Sequence, residues 1–479
     1  MRRSLGTKEG RSIRSVSFRR ASRRSIPFLG SVRPSSADLR AMLQLALPVA
    51  GVQLGIMAMG VVDTIMVGHV SPTALAAVAL GNLYYFVAGI FGQGTLMALD
   101  PVIAQAVGAR DEAAIARAVQ RGVLLALALT ILSCVCFIPV EPILRLLRQP
   151  AEAVPDAALY VQIAIPGVFP FYAFIVFRQS LQAMAHVAPV LWTVLAANLL
   201  NVGLNWVFIY GHLGAPALGV AGSSLATSIS RWAMAVALLG LSGNPLWSYL
   251  RPWRRESGSI QPLVRMLRLG VPIGAQYFLE YGAFAAAALL MGLLGTTQMA
   301  AHQIAINLAS FTFMVPLGVS AATAVLVGQA IGAGDEPRAR RSATAGLACG
   351  TAFMCLSALV FRIFPEPLAR TYTTDATVIA LTAALIPIAG VFQVFDGIQA
   401  VAAGVLRGIG DTHAPAIINI VGFWLIGLPV SWALAFRFGG GAIGLWWGIV
   451  VGLGAVAVIL LVRVRARLAR SMVRVRIDE

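Results

Sequence analysis

The chain has 479 residues, of which 58% are hydrophobic and only 11% are charged. A soluble domain carries about 25% charged residues, so this composition excludes a water-soluble enzyme and indicates a polytopic membrane protein. The formal net charge of +17 is concentrated at the two ends of the chain. Residues 1–40 hold eleven Lys and Arg against two acids, and residues 463–479 hold six Arg against two acids.

The N-terminal segment, residues 1–40, has no apolar stretch of the kind that a secretory signal peptide requires. Its bias towards Arg and Ser resembles an organellar transit peptide, but we favour either a disordered cytoplasmic tail or a start codon that was placed too far upstream. Residues 463–479 are predicted to form a second basic cytoplasmic tail. Neither segment contains a recognisable nucleic-acid-binding fold, so no nucleic-acid partner is expected.

Twelve apolar stretches follow one another along the chain, each close to the roughly 20 residues that a membrane-crossing helix needs. Three loops on one side, after spans 2, 6 and 8, carry more Arg than the loops on the other side, and the positive-inside rule therefore places both termini in the cytoplasm. The predicted spans are residues 41–66, 74–104, 116–140, 157–180, 187–210, 217–242, 264–293, 298–330, 339–363, 376–403, 413–436 and 441–462.

The second half of the chain repeats the first. QAVGARDE at 105–112 matches QAIGAGDE at 329–336, and the same offset aligns Pro48 with Pro272. A duplicated unit with an even number of spans keeps its orientation, so the repeat is parallel, about an axis along the membrane normal. We therefore expect an all-α fold with two six-helix lobes, and we expect the two repeated motifs to be cytoplasmic hinges. The predicted division is an N-lobe at 41–243, a linker at 244–262 and a C-lobe at 263–462.

Three carboxylates lie inside apolar segments: Asp63 in span 1, Glu280 in span 7 and Asp396 in span 10. Ionisable residues within a membrane span are costly, face a bundle interior or a water-filled cavity, and mark ion or substrate paths. Span 1 contains no basic partner for Asp63. A buried carboxylate is stable when it is protonated or paired with a bound cation, so these acids are the predicted cation-coupling residues. Glu280 and Asp396 fall in one lobe and could share one site, which either Na⁺ or H⁺ fits as the coupling ion.

Uncharged polar residues form a second set of candidates. Asn198, Asn201 and Asn205 lie on one face of span 5, which either lines the N-lobe near Asp63 or joins helices by hydrogen bonds. Supporting roles at a substrate cavity are assigned to Gln276, Tyr277 and Asn307, whereas His302 is more typical of a packed structural residue. Arg407 is expected to pair with Asp411 in the loop after span 10.

At these residues the chain resembles the multidrug and toxic compound extrusion (MATE) family. The matching stretches include LALPVAG, VVDTIMVGHVSPTALAAVALG, LGVPIGAQYFLE and GVLRGIGDT, and the resemblance covers residues 40–462. It implies export of small organic compounds, often cations, in exchange for H⁺ or Na⁺. It also implies that Glu280 and Asp396 are the C-lobe acids of the NorM-like bacterial branch. Asn205 stands where another branch has an Asp, which weakens an N-lobe site built on two acids.

Two other functions compete with this antiporter. A flippase for a lipid-linked saccharide is the main alternative, but it should hold phosphate with basic residues in its cavity, and the intramembrane charges identified above are acidic. A membrane-embedded enzyme is not expected, because no catalytic motif or ATP-binding motif occurs in the sequence. The resemblance further implies a monomer in the bacterial inner membrane, without a cofactor apart from the coupling ion.

Overall fold

Twelve long helices make up the molecule in the computed structural model, which describes residues 33–478. Within these residues each of the twelve is long and apolar enough to cross a membrane, which confirms the all-helical fold and the number of spans. Residues 1–32 of the predicted N-terminal tail lie outside the described residues. The helices, α1 to α12, are Ser36–Gly68, Pro72–Gly108, Glu112–Phe137, Val154–Ala183, Ala188–Tyr210, Val220–Leu241, Ile260–Leu294, Thr296–Gly332, Glu336–Ile363, Ala376–Ile409, His413–Arg437 and Gly441–Leu468.

The first helix begins at Ser36, before the predicted boundary at residue 41. The Ser35 hydroxyl accepts a hydrogen bond from the backbone N–H of Asp38 at 3.1 Å, and the Asp38 carboxylate accepts one from the backbone N–H of Ser35 at 2.9 Å. This reciprocal capping box satisfies two N–H groups that lack a partner inside the helix. Residues 36–40 are therefore a helical turn and not part of a tail.

The predicted linker, residues 244–262, contains structure of its own. It holds a short helix at Asn244–Leu250 and a 3₁₀ helix at Arg255–Gly258. The side-chain amide of Gln120 in α3 donates to the backbone carbonyl of Tyr249 at 2.9 Å and so ties the linker to the first half of the chain. The connection between the two halves is thus docked on α3 along part of its length.

The C-terminal segment also departs from the predicted tail. Helix α12 continues to Leu468, so residues 463–468 are helical. Beyond Leu468 the chain lies against earlier parts of the molecule, and the backbone N–H of Val475 donates to the side-chain carbonyl of Gln105 in α2 at 2.7 Å. Part of this segment is therefore held against the helices and is not a free tail.

We refer to α1–α6 as the N-lobe and to α7–α12 as the C-lobe. The terminal face is the end of the bundle at which α1 begins and α12 ends. From this face to about the middle of the bundle the lobes approach each other closely, in part through glycines. A Cβ atom on Gly94 would lie 2.7 Å from the Cα of Gly274, and one on Gly318 would lie 2.7 Å from the backbone N of Ala50. Only glycine permits this separation, so close backbone contact is built into the sequence.

The two repeated motifs meet across this contact. A Cβ on Gly108 would collide with the backbone carbonyl of Gln329, and a Cβ on Gly332 would collide with that of Gln105. Each motif ends one helix and starts the next, as expected of a hinge. The structure adds that each motif packs its glycine against the glutamine of the other motif, so the pair forms a reciprocal seal between the lobes.

Towards the opposite end of the bundle the same helix faces are uncovered. Val61 lies about three turns beyond Ala50 on α1, and Leu83 lies about three turns beyond Gly94 on α2. Their exposed fractions are 46% and 47%, and Phe311, two turns from Gly318 on α8, is 61% exposed. The lobes therefore contact each other near the terminal face and leave these faces open further along.

Candidate functional site

Asp63 lies in the interior of the N-lobe with an exposed fraction of 2%. The amide of Asn205 in α5 donates to Asp63 Oδ1 at 2.6 Å, and the hydroxyl of Thr227 in α6 donates to Oδ2 at 2.7 Å. The Asn205 amide also donates to Asn201 Oδ1 at 3.1 Å. The structure thus brings two of the three predicted asparagines to Asp63 and adds Thr227, which the sequence did not single out.

Asn198 lies outside this cluster, although it shares a helix face with Asn201 and Asn205. Its amide donates to the backbone carbonyls of Gly55 in α1 at 2.9 Å and of Val194 in its own helix at 2.8 Å. These bonds join α5 to α1, which is the alternative interpretation of the asparagine face. Asn198 is therefore a helix-packing residue.

A base also lies in this part of the N-lobe, supplied by another helix than the one that carries Asp63. Arg231 follows Thr227 by one turn of α6, and its guanidinium carbon lies 4.2 Å from the centroid of the Tyr85 ring. A cation over an aromatic face is attracted by the negative potential of the ring. No base was predicted near Asp63, because span 1 itself contains none, whereas Arg231 comes from α6.

Glu280, in the C-lobe, is held by longer hydrogen bonds. The amide of Gln399 in α10 lies 3.3 Å from both carboxylate oxygens, and the amide of Asn419 in α11 donates to Oε2 at 2.9 Å. Asp396 lies one turn before Gln399 on α10 and is 6% exposed. Asp396 therefore lies on the same helix as a residue that contacts Glu280, one turn away from it.

Three oxygens around Glu280 lack hydrogen-bond partners within residues 33–478. They are buried, and they belong to Asp396 (Oδ1), Gln399 (Oε1) and Asn419 (Oδ1). Burying a polar atom without a partner is costly, and such atoms call for a specific explanation. Hard cations bind carboxylate and amide oxygens. The unpartnered oxygens and the adjacent Glu280 carboxylate therefore have the chemistry of a small cation site.

Glu280 also opens onto a cavity of about 170 Å³ between the lobes. The cavity is lined mainly by the C-lobe, and Ile90 of α2 contributes from the N-lobe. Its polar lining includes the predicted residues Gln276 and Tyr277, and its aromatic lining includes Tyr281, Phe284 and Phe313. An acid surrounded by aromatic rings suits an amphipathic organic cation.

Two other candidates do not belong to this cavity. Asn307 is half-buried on α8 and does not line the cavity around Glu280. His302 is 3% exposed and packs against Trp446, with ring centroids 5.6 Å apart, as expected of a structural histidine. Asn307 therefore has no assigned part in the site.

A fourth acid within the apolar spans, Asp100, was missed. It lies in ALDPVIAQ within predicted span 2 and is fully buried, so it carries the same sequence signal as the other three acids. Its Oδ2 lies 3.2 Å from Nε of Arg407 in α10. The expected Arg407–Asp411 pair is therefore wrong. Asp411 instead pairs with Arg463 at 2.8 Å.

Comparison with known proteins gives consistent matches over most of the chain. The model of the MatE family matches residues 48–207 and 272–433. The chain is 40% identical over 438 residues to the probable multidrug resistance protein NorM of Mesorhizobium japonicum, covering 89% of this chain and 93% of the relative. It is 37% identical over 437 residues to the protein of the same name from Rhizobium meliloti, with 88% and 92% covered.

Solved structures show the same fold. The eukaryotic MATE transporter AtDTX14 superposes with a TM-score of 0.81 at 23% identity, over 91% of this chain and 98% of that one. An outward-facing structure of a multidrug resistance MATE family transporter gives a TM-score of 0.80 at 20% identity, over 90% and 96%. Together with the family match, these findings show that the chain belongs to the MatE family, the multidrug and toxic compound extrusion proteins, and is NorM-like.

Proposed function

We propose that this protein is a secondary active antiporter that exports organic compounds, often cationic, in exchange for an inorganic cation. The observation that carries the proposal is the cavity between the lobes, where Glu280 stands among aromatic side chains. The NorM relatives bear the name of multidrug resistance proteins, which agrees with this chemistry. A cavity that selects by charge and aromatic contact, with few fixed hydrogen bonds, suits many different compounds.

The lobe contacts support alternating access as the transport mechanism. The lobes seal at the terminal face through Gly108 and Gly332, whereas Val61 and Phe311 are exposed towards the other end. The Arg-rich loops favour a cytoplasmic terminal face. In that orientation the structure corresponds to an outward-facing state. Rocking one lobe against the other would then open the seal and expose the cavity to the cytoplasm.

We propose Na⁺ as the coupling ion, bound by the C-lobe acids. A proton on Asp396 would satisfy one of the unpartnered oxygens, whereas the amide oxygens of Gln399 and Asn419 need a donor or a cation. A cation bound at Glu280 also neutralises the negative charge that attracts an organic cation to the cavity. Coupling requires that the ion binds with different affinity in the two states, so that ion and substrate occupy the site in alternation.

A flippase for a lipid-linked saccharide is the alternative, and it requires basic residues in the membrane that can hold a phosphate. The buried charges are not only acidic, because Arg178, Arg231 and Arg407 are also enclosed within the lobes. Each of these bases already has a partner. Arg178 donates to Gln53 at 2.8 Å, Arg231 lies over Tyr85, and Arg407 pairs with Asp100. Arg178 and Arg407 are therefore engaged by polar partners in this state, which favours the antiporter, whereas Nη1 of Arg231 has no hydrogen-bond partner among the described residues.

The test is efflux of a fluorescent organic cation from proteoliposomes under an imposed Na⁺ gradient or an imposed pH gradient. We expect efflux to follow the Na⁺ gradient and to be lost in Asp396→Asn. The matched control is Glu366→Gln, because Glu366 is an exposed acid that pairs with Arg370 within one short helix. Efflux that follows only the pH gradient would replace Na⁺ by H⁺. Efflux that follows neither gradient would refute the antiporter and favour the flippase.

A further inference from the structure

The Asp100–Arg407 ion pair joins the two lobes. Asp100 belongs to α2 of the N-lobe, Arg407 belongs to α10 of the C-lobe, and their side chains are 0% and 6% exposed. Asp411 and Arg463, in contrast, pair within the C-lobe. Rocking of the lobes therefore changes the Asp100–Arg407 distance and leaves the Asp411–Arg463 distance unchanged.

Arg407 depends on Asp100 for charge neutralisation. Neither carboxylate oxygen of Asp100 accepts a hydrogen bond from the described residues. Among the described residues, the other groups that the guanidinium of Arg407 contacts are neutral. They include the Ser320 hydroxyl at 3.4 Å and Met97 Sδ at 3.9 Å. Arg178, in the N-lobe, is a second base near Asp100, but its hydrogen bond goes to Gln53. Arg407 would therefore carry an unscreened charge once the lobes part.

Arg407 also lines the same cavity as Glu280. A buried positive charge at the wall of a cavity lowers the affinity for any cation inside it, because charges interact strongly in a low-dielectric interior. The effect is larger for a small inorganic ion than for an organic cation, whose charge is spread and whose binding also uses aromatic contacts. Whether Asp100 is present beside Arg407 therefore decides how well the cavity holds the coupling ion.

We propose that the Asp100–Arg407 pair is a state-dependent charge screen. Asp100 neutralises Arg407 while the terminal face is closed, and separation of the lobes exposes the guanidinium charge to the Glu280 cavity and expels the coupling ion. Asp100 and Arg407 are thus positioning residues that give the two states different ion affinities. The inference rests on the proposed antiport function and supplies the differential affinity that coupling requires.

The experiment measures the external Na⁺ concentration that gives half-maximal efflux, using Asp100→Asn and the double variant Asp100→Asn/Arg407→Gln. Asp100→Asn should raise this concentration about tenfold, because the unscreened guanidinium repels the ion. The double variant removes that charge and should return the concentration to within about threefold of the unaltered protein. Asp411→Asn is the matched control, because it breaks an ion pair inside one lobe.

A purely structural pair would give a different result. Both variants would then lower the amount of folded protein or the maximal rate, and the half-maximal Na⁺ concentration would not change. That outcome would overturn the charge screen and leave the antiporter intact. If Asp100→Asn does not fold, the exchanged pair Asp100→Arg/Arg407→Asp keeps the test open. It places a negative charge on the cavity wall when the lobes part, so Na⁺ inside the vesicles should inhibit efflux at a lower concentration, and unchanged inhibition would refute the proposal.

An independent observation concerns the strap, which we define as residues 470–478. The strap leaves α12 of the C-lobe and crosses the terminal face to the N-lobe. The Asp478 carboxylate pairs with Arg121 at 2.6 Å and with Arg117 at 2.7 Å, both on α3. Arg474 pairs with Asp111 at 3.0 Å.

Apolar contacts accompany these ion pairs. Ile477 is 7% exposed and packs into a hydrophobic core that consists mostly of N-lobe residues and includes some from the C-lobe. Val475 packs beside the same core, and its backbone N–H donates to Gln105 in the interlobe seal. The strap therefore contacts the N-lobe through its side chains and its backbone, while its start is fixed to the C-lobe by α12.

We infer that the strap holds the terminal face closed and biases the protein towards the state described here. Opening of that face moves α12 away from α3, and the strap contacts must then break or the strap must extend. The test places spin labels on His186→Cys in the N-lobe and Ala333→Cys in the C-lobe, in a background without the four native cysteines. Double electron–electron resonance then gives the distribution of distances between the two labels across the terminal face.

Termination after Ala469 should increase the population of longer distances about fivefold, and Asp478→Asn should increase it by a smaller factor. The control is Arg370→Gln, which breaks an ion pair within one helix. An unchanged distribution in both strap variants would overturn the inference. Asp478→Asn alone decides the question if the shortened chain does not fold.

Discussion

The acid clusters of the two lobes carry the same sequence signal but differ in how completely they are satisfied. Asp63 accepts bonds of 2.6 and 2.7 Å on its two oxygens, from Asn205 and Thr227. Glu280 accepts bonds of 2.9 and 3.3 Å, and the oxygens of Asp396, Gln399 and Asn419 around it lack hydrogen-bond partners within the described residues. The Asp63 cluster leaves one such oxygen, Oδ1 of Asn205, against three in the Glu280 cluster, so the C-lobe cluster gains more from a ligand.

The clusters differ in access as well. Glu280 lines a cavity between the lobes, whereas Asp63 is enclosed by α1, α5 and α6 and does not line that cavity. The comparison teaches that a lone carboxylate in an apolar span indicates a polar interior but not whether that interior binds an ion. The surrounding donors and acceptors decide that, and they come from other helices.

The largest expected effect is that of Glu280→Gln. The substitution keeps the size of the side chain and removes the charge that attracts both substrate and ion. We expect coupled efflux to fall by about two orders of magnitude, since one full charge is lost from a low-dielectric site. Efflux by reconstituted protein under a Na⁺ gradient measures it, and elution on size-exclusion chromatography checks the fold. Efflux within a factor of two of the unaltered protein would remove Glu280 from the site.

A matched pair of asparagines sharpens the comparison further. Asn419 donates to Glu280 and Asn205 donates to Asp63, so Asn→Ala at each position removes one donor from one acid. We expect Asn419→Ala to raise the half-maximal Na⁺ concentration about tenfold, because an ion ligand is lost as well. Asn205→Ala should lower the free energy of unfolding by about 1–3 kcal/mol and leave that concentration unchanged. The reverse pattern would assign ion binding to the N-lobe.

Asp63→Asn should have a milder effect than Glu280→Gln. The new amide keeps one acceptor for Asn205, while its N–H₂ group faces Thr227, whose hydroxyl can rotate and accept. We expect a loss of about 1–3 kcal/mol in stability and less than a tenfold decrease in efflux. Thermal unfolding in detergent and the proteoliposome assay measure the two quantities. A complete loss of efflux with an unchanged unfolding temperature would show that Asp63 takes part in coupling.

Much of the fold follows from the sequence, because hydropathy and the repeat depend on local composition. All twelve spans and the resemblance between the halves were predictable in this way. The error at Arg407 has a physical origin. Span 10 was predicted to end at residue 403, one turn before Arg407, whereas α10 continues to Ile409 and places Arg407 beside Asp100 of the other lobe. A countercharge from a distant part of the chain cannot be read from the local sequence.

The sites were partly predictable for the same reason. Asp63, Glu280 and Asp396 are visible as isolated charges, and the three-residue and four-residue spacing of the span-5 asparagines predicts a shared face. Whether Asn205 bonds to an acid while Asn198 bonds to a backbone carbonyl depends on how α5 packs against α1. Asp100 is also an isolated charge inside an apolar span, so the same criterion could have identified it from the sequence.

The smallest expected effect compares the N-terminal caps in the two repeated motifs. Asp111 caps α3 and Asp335 caps α9, and each carboxylate accepts a hydrogen bond from a backbone N–H. Asp111 also forms an ion pair with Arg474 of the strap, and no such pair is described for Asp335. The hydrogen bond from the backbone N–H of Ala114, with a smaller contribution from Arg474, lowers the pKa of Asp111 below its usual value. Asn is an equally good cap, so Asp111→Asn removes mainly the ion pair and should cost about 0.5 kcal/mol at pH 7.

The pH dependence of this cost has a definite sign. A carboxylate whose pKa is lower in the folded protein stabilises the fold at pH values above its unfolded pKa of about 3.9. That contribution is lost as the pH falls through the lower folded pKa. The difference in unfolding temperature between Asp111→Asn and the unaltered protein should therefore be constant from pH 7 to about 5 and shrink below about pH 4. Asp335→Asn, without the strap contact, should show a smaller difference at pH 7, and equal differences at the two caps would show that Arg474 adds nothing to stability.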